Sequence, residues 1–398
     1  MQSLPTFALE AFFATWEFKA KHHLTASDAQ TMTVAELLDL AGPTAREDFL
    51  NLSLGYIPTW GTDELRAAIA DTYRDVQADD VLTFAGAEEA LFWVMQELLG
   101  PGDHAVVTVP NYQSLEAVPL ATGAEVTGLP IWRQRPDGDA GSLEWSLDLE
   151  ALTAALRPTT KVVAVNFPNN PTGFVPDRQS WAALAALCDE RGIHLFNDEV
   201  YRGAEVDPAR TLPAAVELSP RGISLDVTSK SMGLPGLRVG WVACRDRDLL
   251  ARLEKRKHWT TICNAGPSEA LALHAVRLAP QLRERTRALV EANLTLFDAF
   301  FGEHADLFDW AAPDGGCVAF PRYLGPEGAD TFCAELVEAT GVLLLPGSVY
   351  ASQLLTVPTD RFRVGVGREN PEVALQLVAE FVAGRRPAAT RPAGRRRA

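Results

Sequence analysis

The segment VTSKSMGLPGLRVGW, residues 227–241, contains a single lysine, Lys230, among small residues. Arg238 follows eight positions later, behind a Gly-Leu-Pro-Gly stretch. Partial loss of water favours the neutral amine of a lysine, and the neutral amine is the nucleophilic form. We therefore expect Lys230 to react with a carbonyl group and to form a Schiff base.

Further polar residues stand at the ends of successive hydrophobic runs. They are Gly86, Ala87 and Glu88 after VLTF; Tyr112 after HAVVTVP; Asn170, within PNNPTG, after KVVAVNF; Asp198 and Tyr201 at and after the end of IHLFND; and Ser229 and Lys230 after GISLDV. Ligands of an open α/β sheet bind outside the carboxyl ends of its strands. If these runs are strands of one sheet, the polar residues share one site.

Each of these residues has an ordinary structural explanation when it is taken alone. Gly86 is compatible with a simple strand-to-helix turn, Tyr112 with a half-buried loop ring, and Asp198 with a helix N-cap. Together they supply a phosphate-binding turn, a stacking ring, an acid, a phenol, an amine and a guanidinium. That combination matches the requirements of pyridoxal 5′-phosphate.

The chemistry of pyridoxal phosphate gives each group an expected role. Lys230 forms the Schiff base with the aldehyde, and Asp198 keeps the pyridine nitrogen protonated so that the ring withdraws electrons. Asn170 and Tyr201 hydrogen-bond to the phenolic oxygen. Arg238 binds the phosphate through charge-assisted hydrogen bonds, together with the backbone N–H groups of the glycine turn.

The hydrophobic pattern predicts the elements that position these residues. The expected strands are residues 81–84, 104–110, 123–129, 161–167, 193–198, 222–227 and 239–244, and helices are expected at 63–75 and 88–99. Nearly continuous apolar runs separated by helices are typical of a mostly parallel sheet that is covered on both faces. We therefore predict an α/β fold whose large cofactor-binding domain spans residues 46–270.

The two ends of the chain have a different pattern. Thr33 and Glu36 form a capping-box signature before LLDLAG, long helical stretches follow Ser268, and strand-like runs occupy residues 318–323, 342–347 and 361–367. We expect residues 1–45 and 271–383 to form a smaller α+β domain. Residues 384–398, rich in Arg, Ala and Pro, are expected to be a disordered basic tail.

Composition argues against several classes of protein. The 398 residues include 36 Lys and Arg against 52 Asp and Glu, a formal charge of −16, which is unfavourable for binding nucleic acid or a membrane surface. No apolar run approaches the roughly 18 residues of a membrane span. Five cysteines without C-x-x-C spacing, seven histidines without metal-ligand spacing and the lack of a signal-peptide pattern predict a reduced, cytoplasmic protein without a metal site.

Six motifs of the chain resemble those of one known family. GAEEA, PNY, NNPTG, DEVY, SKSMGLPGLRVG and RFRVGVG occur in this order and are similar to those of the class I/II aminotransferases, which are fold-type-I pyridoxal-phosphate enzymes. The resemblance covers nearly the whole chain. It implies a seven-stranded central sheet and a homodimer with its active sites between the subunits.

The resemblance also implies roles outside the strand ends. Tyr56 matches the family tyrosine that reaches the partner subunit's cofactor phosphate, and Gly55 with its neighbours lines the entrance for substrate. Arg363 matches the arginine that binds the substrate α-carboxylate, a bidentate task suited to guanidinium. Without the family, a solvated charge at a strand edge is the simpler interpretation of Arg363.

Two positions depart from the family pattern. Val227 stands where many members have a phosphate-binding hydroxyl, and Thr228 or Ser229 is expected to compensate. Glu88 would repel a phosphate, so only its backbone N–H is expected to help and its side chain is expected to turn outward.

The N-terminal segment from Leu9 to Gly42 and the stretch GGCVAFPRY are similar to a subgroup that includes capreomycidine-synthase-like enzymes, which act on arginine derivatives. That likeness implies that Glu17 or Asp28 faces a cationic substrate. The alternative is that both carboxylates lie on a solvated helix face.

The function expected from these observations is transfer of an amino group between an L-amino acid and a 2-oxo acid, with Lys230 as general base. One alternative is a pyridoxal-phosphate-dependent cyclase, lyase or oxidase acting on an arginine-like amino acid. A pyridoxal-phosphate-sensing regulator would need a basic DNA-binding domain, for which there is no room before residue 60. A nicotinamide-binding protein would need G-x-G-x-x-G after its first strand, a spacing that GLPGLRVG does not supply.

Overall fold

The computed structural model describes residues 3–136, 138 and 141–383. Its strands are β1 His22–His23, β2 Val81–Phe84, β3 His104–Val109, β4 Glu125–Pro130, β5 Trp132–Gln134, β6 Leu143–Trp145, β7 Thr160–Asn166, β8 His194–Asp198, β9 Gly222–Val227, β10 Gly240–Cys244, β11 Phe308–Asp309, β12 Val318–Ala319, β13 Arg322–Tyr323, β14 Val342–Leu343, β15 Leu345–Pro346 and β16 Phe362–Gly365.

Helices connect most of these strands. They are α1 Ala8–Trp16, α2 Val34–Ala41, α3 Ala45–Leu50, α4 Asp63–Ala70, α5 Ala87–Leu98, α6 Ser114–Ala121, α7 Leu149–Ala155, α8 Arg178–Arg191, α9 Ala215–Leu218, α10 Arg247–Lys257, α11 Gly266–Arg277, α12 Ala279–Glu303, α13 Ala329–Thr340 and α14 Glu372–Ala383. Short 3₁₀ turns occur at Ala78–Asp80, Pro208–Arg210, Pro235–Leu237 and Gly347–Tyr350.

A seven-stranded sheet forms the centre of the molecule, in the order β2-β10-β9-β8-β7-β3-β4. All of its strands run parallel except β10, which is antiparallel to both of its neighbours. Along β7, Val162 and Ala164 pack into the core on one face, whereas Val163 and Val165 pack into the core on the other. Burial on both faces explains why these strands are almost continuously apolar. The predicted α/β architecture is confirmed.

The register of the sheet brings several strand ends together. Asn166, the last residue of β7, pairs with Asp198, the last residue of β8. Gly240 at the start of β10 pairs with both Phe84 and Val227, the last residues of β2 and β9. The segments that follow β2, β7, β8 and β9 therefore leave the sheet along the same edge.

The N-terminal part of the chain packs against its C-terminal part. Residues 22–30, which we call the N-terminal strap, begin as β1 beside β14 and continue along β16. Leu24 N donates to Leu343 O at 3.1 Å, and the Leu24 carbonyl accepts from Gly365 N at 2.7 Å. Gln30 N donates to Gly367 O at 2.7 Å. The strap thus lies across the end of the central sheet.

Several predicted boundaries differ from the structure. The helix expected at 63–75 ends at Ala70. The strand-like run at 318–323 is divided by Phe320 and Pro321 into β12 and β13, which belong to different sheets. The run at 342–347 is likewise divided into β14 and β15. The hairpin of β5 and β6 was not predicted.

The capping box at Thr33 is confirmed, because Thr33 and Glu36 exchange side-chain and backbone hydrogen bonds at the start of α2.

The proposed division into two domains stays a prediction, and α2 packs in one core with α4 and α11. The predicted tail, residues 384–398, lies outside the described residues. Among the residues that the structure describes, no helix is both long and apolar enough to cross a membrane.

Candidate active site

A cavity of about 930 Å³ lies at the edge of the sheet where β7, β8 and β9 end. Asn166, Asp198 and Lys230 line it from the sheet side. The N-terminal strap and α1 line it from the opposite side, with Ser27 and Phe13 among their contributions. The cavity is therefore enclosed by residues from both ends of the sequence.

Lys230 lies in the loop after β9, and its side chain lines this cavity. Its Nζ donates a hydrogen bond to Ser27 Oγ at 2.8 Å. Burial lowers the pKa of Lys230 from its ordinary value, because a charged amine loses hydration there. Nearby Arg363 acts in the same direction, while Asp28 and Asp198 oppose it. Lys230 therefore lies on the cavity with a lowered pKa, and its role as a reactive amine stays a prediction.

Asp198 is the last residue of β8 and is 8% exposed. Its Oδ1 accepts from Val200 N at 3.3 Å, and burial raises its pKa to about 7. A buried carboxylate whose charge is compensated by one long hydrogen bond is suited to bind a protonated ring nitrogen. Tyr201, fully buried three residues later, donates from its hydroxyl to the Ser27 carbonyl at 2.6 Å.

The expected phosphate-binding turn opens α5. Gly86 has φ +92°, and a Cβ at that position would lie 2.3 Å from Nη2 of Arg238. The Arg238 guanidinium therefore lies directly against the turn, as predicted from their separate motifs. Arg238 itself adopts a left-handed backbone conformation, φ +52°.

Ser229 and Thr228 are the two residues expected to compensate for Val227. Ser229 lines the cavity, and its Oγ is buried and has no hydrogen-bond partner among the described residues. The Thr228 hydroxyl is already used, because its Oγ1 is directed to the carbonyls of Val239 and Leu234, at 3.2 and 3.4 Å. Ser229 is therefore the hydroxyl available for a phosphate.

The prediction that the Glu88 side chain turns outward is wrong. Glu88 lines the cavity, where Ser114 Oγ donates to its Oε2 at 2.9 Å. Burial raises the pKa of Glu88 to about 6, and the negative charge of Glu10 adds to that shift. The prediction considered only repulsion by phosphate and not the hydroxyl of α6 that holds the carboxylate inward. Ala87, beside Glu88, also lines the cavity.

Tyr112 lines the cavity as expected of a stacking ring. Its hydroxyl donates to Glu10 Oε1 at 3.4 Å, and its ring centroid lies 5.1 Å from that of Phe7. Burial, followed by the nearby carboxylates of Glu88 and Glu10, raises the pKa of Tyr112. The ring is thus held between the sheet and the N-terminal segment.

Arg363 is fully buried on β16 and lies beneath the cavity surface, not at a solvated strand edge. Its Nη1 donates to Tyr350 Oη at 2.7 Å and to Asn170 Oδ1 at 3.2 Å, and its Nη2 donates to the Thr25 carbonyl at 2.7 Å. Tyr350 Oη also donates to Asn170 Oδ1, at 2.9 Å. Asn170 lines the cavity, and its amide N–H groups are the donors that it can offer there.

Gly55 and Tyr56 lie apart from this group. Neither lines the cavity of its own chain, and the Tyr56 side chain is 92% exposed. The exposure of Tyr56 agrees with a tyrosine that serves a second subunit. Gly55, by contrast, does not lie at the entrance of this chain's own cavity.

The sequence analysis missed the strap, including Ser27, and also missed Tyr350. A signal for the strap was present in RFRVGVG. A Cβ on Gly365 would lie 2.2 Å from Ala26 O. A Cβ on Gly367 would meet the Cys317 side chain first, at 2.8 Å, and Asp28 O at 3.0 Å. The close approach of the strap backbone therefore explains the glycine at position 365.

The residues of the cavity fit pyridoxal phosphate. The glycine turn, Arg238 and the unpartnered Ser229 hydroxyl match a phosphate. Buried Asp198 matches the pyridine nitrogen, and Lys230 matches the aldehyde carbon. Among the described ranges, no three His, Cys, Asp or Glu side chains are grouped to hold a metal ion.

Comparisons with known proteins agree with this chemistry. The sequence model of the family described as aminotransferase class I and II matches residues 46–379. Capreomycidine synthase of Streptomyces vinaceus is 33% identical over 386 residues, which are 95% of this chain and 93% of that protein.

Solved structures are similar as well. A PLP-dependent aminotransferase of Streptococcus suis has a TM-score of 0.87 at 28% identity, covering 96% of this chain and 99% of that one. The PLP-dependent cyclase OrfR has a TM-score of 0.82 at 28% identity, covering 97% and 99%. The chain therefore belongs to the class I and II aminotransferase family, with the fold-type-I architecture and pyridoxal phosphate as its cofactor.

Proposed function

We propose that this protein is an aminotransferase that moves an amino group between an L-amino acid and a 2-oxo acid. The observation that carries the proposal is the placement of a half-buried lysine, Lys230, and a buried carboxylate, Asp198, on one cavity. An amine with a depressed pKa serves as both anchor and base, and a carboxylate at the ring nitrogen promotes loss of the Cα proton.

Bound pyridoxal phosphate supplies an aldehyde and an electron-withdrawing ring. Lys230 would anchor the cofactor, and its amine would serve as the base for the substrate Cα proton. Asp198 would hold the ring nitrogen, while Ser229 and Arg238 would hold the phosphate. The strap and α1 cover the cavity and exclude water from the reacting atoms.

Arg363 is the proposed donor to the substrate carboxylate. Its Nε has no hydrogen-bond acceptor among the described residues, although it is buried. The Phe13 ring of α1 lines the cavity, and its centroid lies 6.0 Å from Arg363 Cζ. An Arg363→Lys variant that retains full affinity for amino acids would remove this role.

A half-reaction screen tests the proposal. The cofactor-loaded protein is mixed with each L-amino acid alone, and the visible absorbance and the 2-oxo acid are measured. Stoichiometric loss of absorbance with one equivalent of oxo acid, reversed by adding a 2-oxo acid, is the expected result. Lys230→Ala should abolish it. Covalent capture of the cofactor by Lys230→Ala after borohydride reduction would contradict the assignment.

A second candidate is a cyclase, lyase or oxidase acting on an arginine-like amino acid. It is supported by carboxylates that α1 and the strap contribute to the cavity, namely Glu10, Glu17 and Asp28. Asp28 is paired with Arg368 at 2.8 Å, and Glu10 accepts from Tyr112. Glu17 is thus the carboxylate best placed to meet a cationic side chain. The similarity to capreomycidine synthase and to the cyclase OrfR supports the same candidate.

The two candidates differ in their need for an acceptor. A cyclase or lyase turns over arginine catalytically without a 2-oxo acid, whereas an aminotransferase stops after one equivalent. For the substrate itself, Glu17→Gln is expected to raise KM for arginine about tenfold and to leave KM for alanine unchanged. Glu190→Gln, on the exposed face of α8, is the matched control.

A homodimer in the cytoplasm, without nucleic-acid or membrane partners, completes the proposal. Two neighbouring segments expose large apolar side chains: Leu50, Leu54 and Tyr56 in one, Trp259 and Ile262 in the other. Large exposed apolar groups clustered in this way are typical of protein interfaces. Such an interface would bring Tyr56 to the partner's cavity.

Subunit mixing tests the dimer. Lys230→Ala and Tyr56→Ala each inactivate both sites of their own dimer if Tyr56 serves the partner. Reassociated hybrids then contain one intact site, so about a quarter of wild-type activity returns for a statistical mixture. No recovery, despite confirmed hybrids in light scattering and native mass spectrometry, would place Tyr56 outside the partner's site.

A further inference from the structure

Ser27 lies between two side chains of the active site. Its Oγ accepts the hydrogen bond from Lys230 Nζ at 2.8 Å, and its carbonyl accepts the hydrogen bond from Tyr201 Oη at 2.6 Å. Ser27 also lines the cavity. One residue of the strap therefore contacts both the lysine and the phenol through different oxygen atoms.

The position of Ser27 is fixed by its neighbours in the strap. The carbonyl of Thr25 accepts from buried Arg363 at 2.7 Å, and Asp28 pairs with Arg368 at 2.8 Å. The Ala26 backbone packs against Gly365, where even a Cβ would not fit. Because these contacts flank Ser27 on both sides, they hold its backbone in place, and from that position its hydroxyl reaches Lys230 Nζ.

A fixed acceptor has two effects on a lysine amine. It restricts rotation about the Cε–Nζ bond, so the other hydrogen atoms and the lone pair of Nζ keep a defined direction. It also stabilises the ammonium form, which accepts no bond but donates three. The charged and titratable groups facing Lys230 are Asp28 in the strap, Asp198 at the end of β8, Arg363 on β16 and buried Cys317.

We propose that Ser27 is a positioning residue for Lys230, whose hydroxyl orients the ε-amine for proton transfer and stabilises it when it carries the proton. This inference rests on the proposed function, in which Lys230 is the base. It assigns to the strap a direct part in the chemistry, beyond covering the cavity.

The pKa of Lys230 is the first readout, because a purely structural role of Ser27 would not change it. Cofactor-free protein is pulsed with acetic anhydride at a series of pH values, and acetylation of the Lys230 peptide is quantified by mass spectrometry. Ser27→Ala should lower the pKa of Lys230 by roughly 0.5 to 1, since the ammonium loses an acceptor. Ser27→Thr, which keeps the hydroxyl, should restore the wild-type value.

Thr31→Ala is the matched control, because Thr31 follows the strap without lining the cavity. An unchanged pKa of Lys230 in Ser27→Ala, or an equal change in Thr31→Ala, would overturn the inference. This readout needs no catalysis, so it remains decisive even if the protein proves not to transaminate.

Turnover of the cofactor-loaded protein is the second readout. Ser27→Ala should lower kcat about tenfold or more, with KM changed less than about threefold, and should shift the acidic limb of the pH–kcat profile. Ser27→Thr should recover most of the rate. If Lys230→Ala still bound the cofactor covalently, the proposed function would be refuted. A wild-type kcat in Ser27→Ala would refute only the role of Ser27.

Discussion

Replacing Asp198 by Asn is expected to stabilise the cofactor-free protein while weakening cofactor binding. The Asp198 carboxylate is buried, and the hydrogen bond from Val200 N is long, at 3.3 Å. Burial raises its pKa from 3.8 to about 7. The folded protein therefore retains a proton at pH values where the unfolded chain has already lost it.

The size of the effect follows from that difference. Between pH of about 3.8 and about 7 the free energy of unfolding falls as pH rises, and above that range the contribution is constant. At about 1.4 kcal/mol per pH unit, the buried carboxylate costs about 3 kcal/mol at pH 6 and about 4 kcal/mol at pH 8. Asparagine does not ionise. The stability advantage of Asp198→Asn over wild type should therefore grow by roughly 1 kcal/mol between these two pH values.

Urea unfolding of the cofactor-free proteins at both pH values measures this difference. Comparing variant with wild type at each pH cancels the titrating groups that do not interact with Asp198. Asp148→Asn, which replaces an exposed aspartate that caps α7, is the control and should show no such growth. Cofactor affinity should fall about 10- to 100-fold in Asp198→Asn, because a charge-assisted bond is lost. Equal stability differences at the two pH values would refute the reasoning.

Three further substitutions probe the supports of the site. Gly86→Ala should weaken cofactor binding at least about tenfold in a titration, because the methyl meets Arg238 and the positive φ disfavours alanine. Gly365→Ala should lower the free energy of unfolding by about 2 kcal/mol or more and speed proteolysis of the strap, because its Cβ collides with the Ala26 carbonyl. Lys257→Met should cost about 2–4 kcal/mol in urea unfolding, because two buried carbonyls lose donors at 2.7 Å.

The central sheet was predictable because burial leaves a direct trace in composition. Strands covered on both faces are apolar at most positions, so β3, β7 and β9 were visible as runs. The rule that ligands bind at the carboxyl strand ends then placed Asp198, Asn170 and Lys230 on one cavity, and the structure does the same.

The remaining features depend on contacts that the hydrophobic pattern does not encode. The direction of Glu88 is decided by Ser114, a residue of the following helix, through one hydrogen bond. The burial of Arg363 is decided by Tyr350 and by a carbonyl of the strap. Pro321 separates two strands that hydrophobicity alone would join. Each feature reflects one specific polar or backbone contact and not a periodicity.

The strap gives the biosynthesis of this enzyme a definite order. Thr25 and Arg363, which hold each other in the finished site, are separated by 338 residues. At about 5–20 residues per second, a ribosome needs roughly 20–70 s to synthesise the intervening chain. During that interval the strap has no β16 to pair with, and Ser27 cannot yet be fixed above the lysine. Assembly of the proposed site therefore cannot be completed until β16 has been synthesised, and a nascent chain that is interrupted before β16 carries Lys230 without a fixed Ser27.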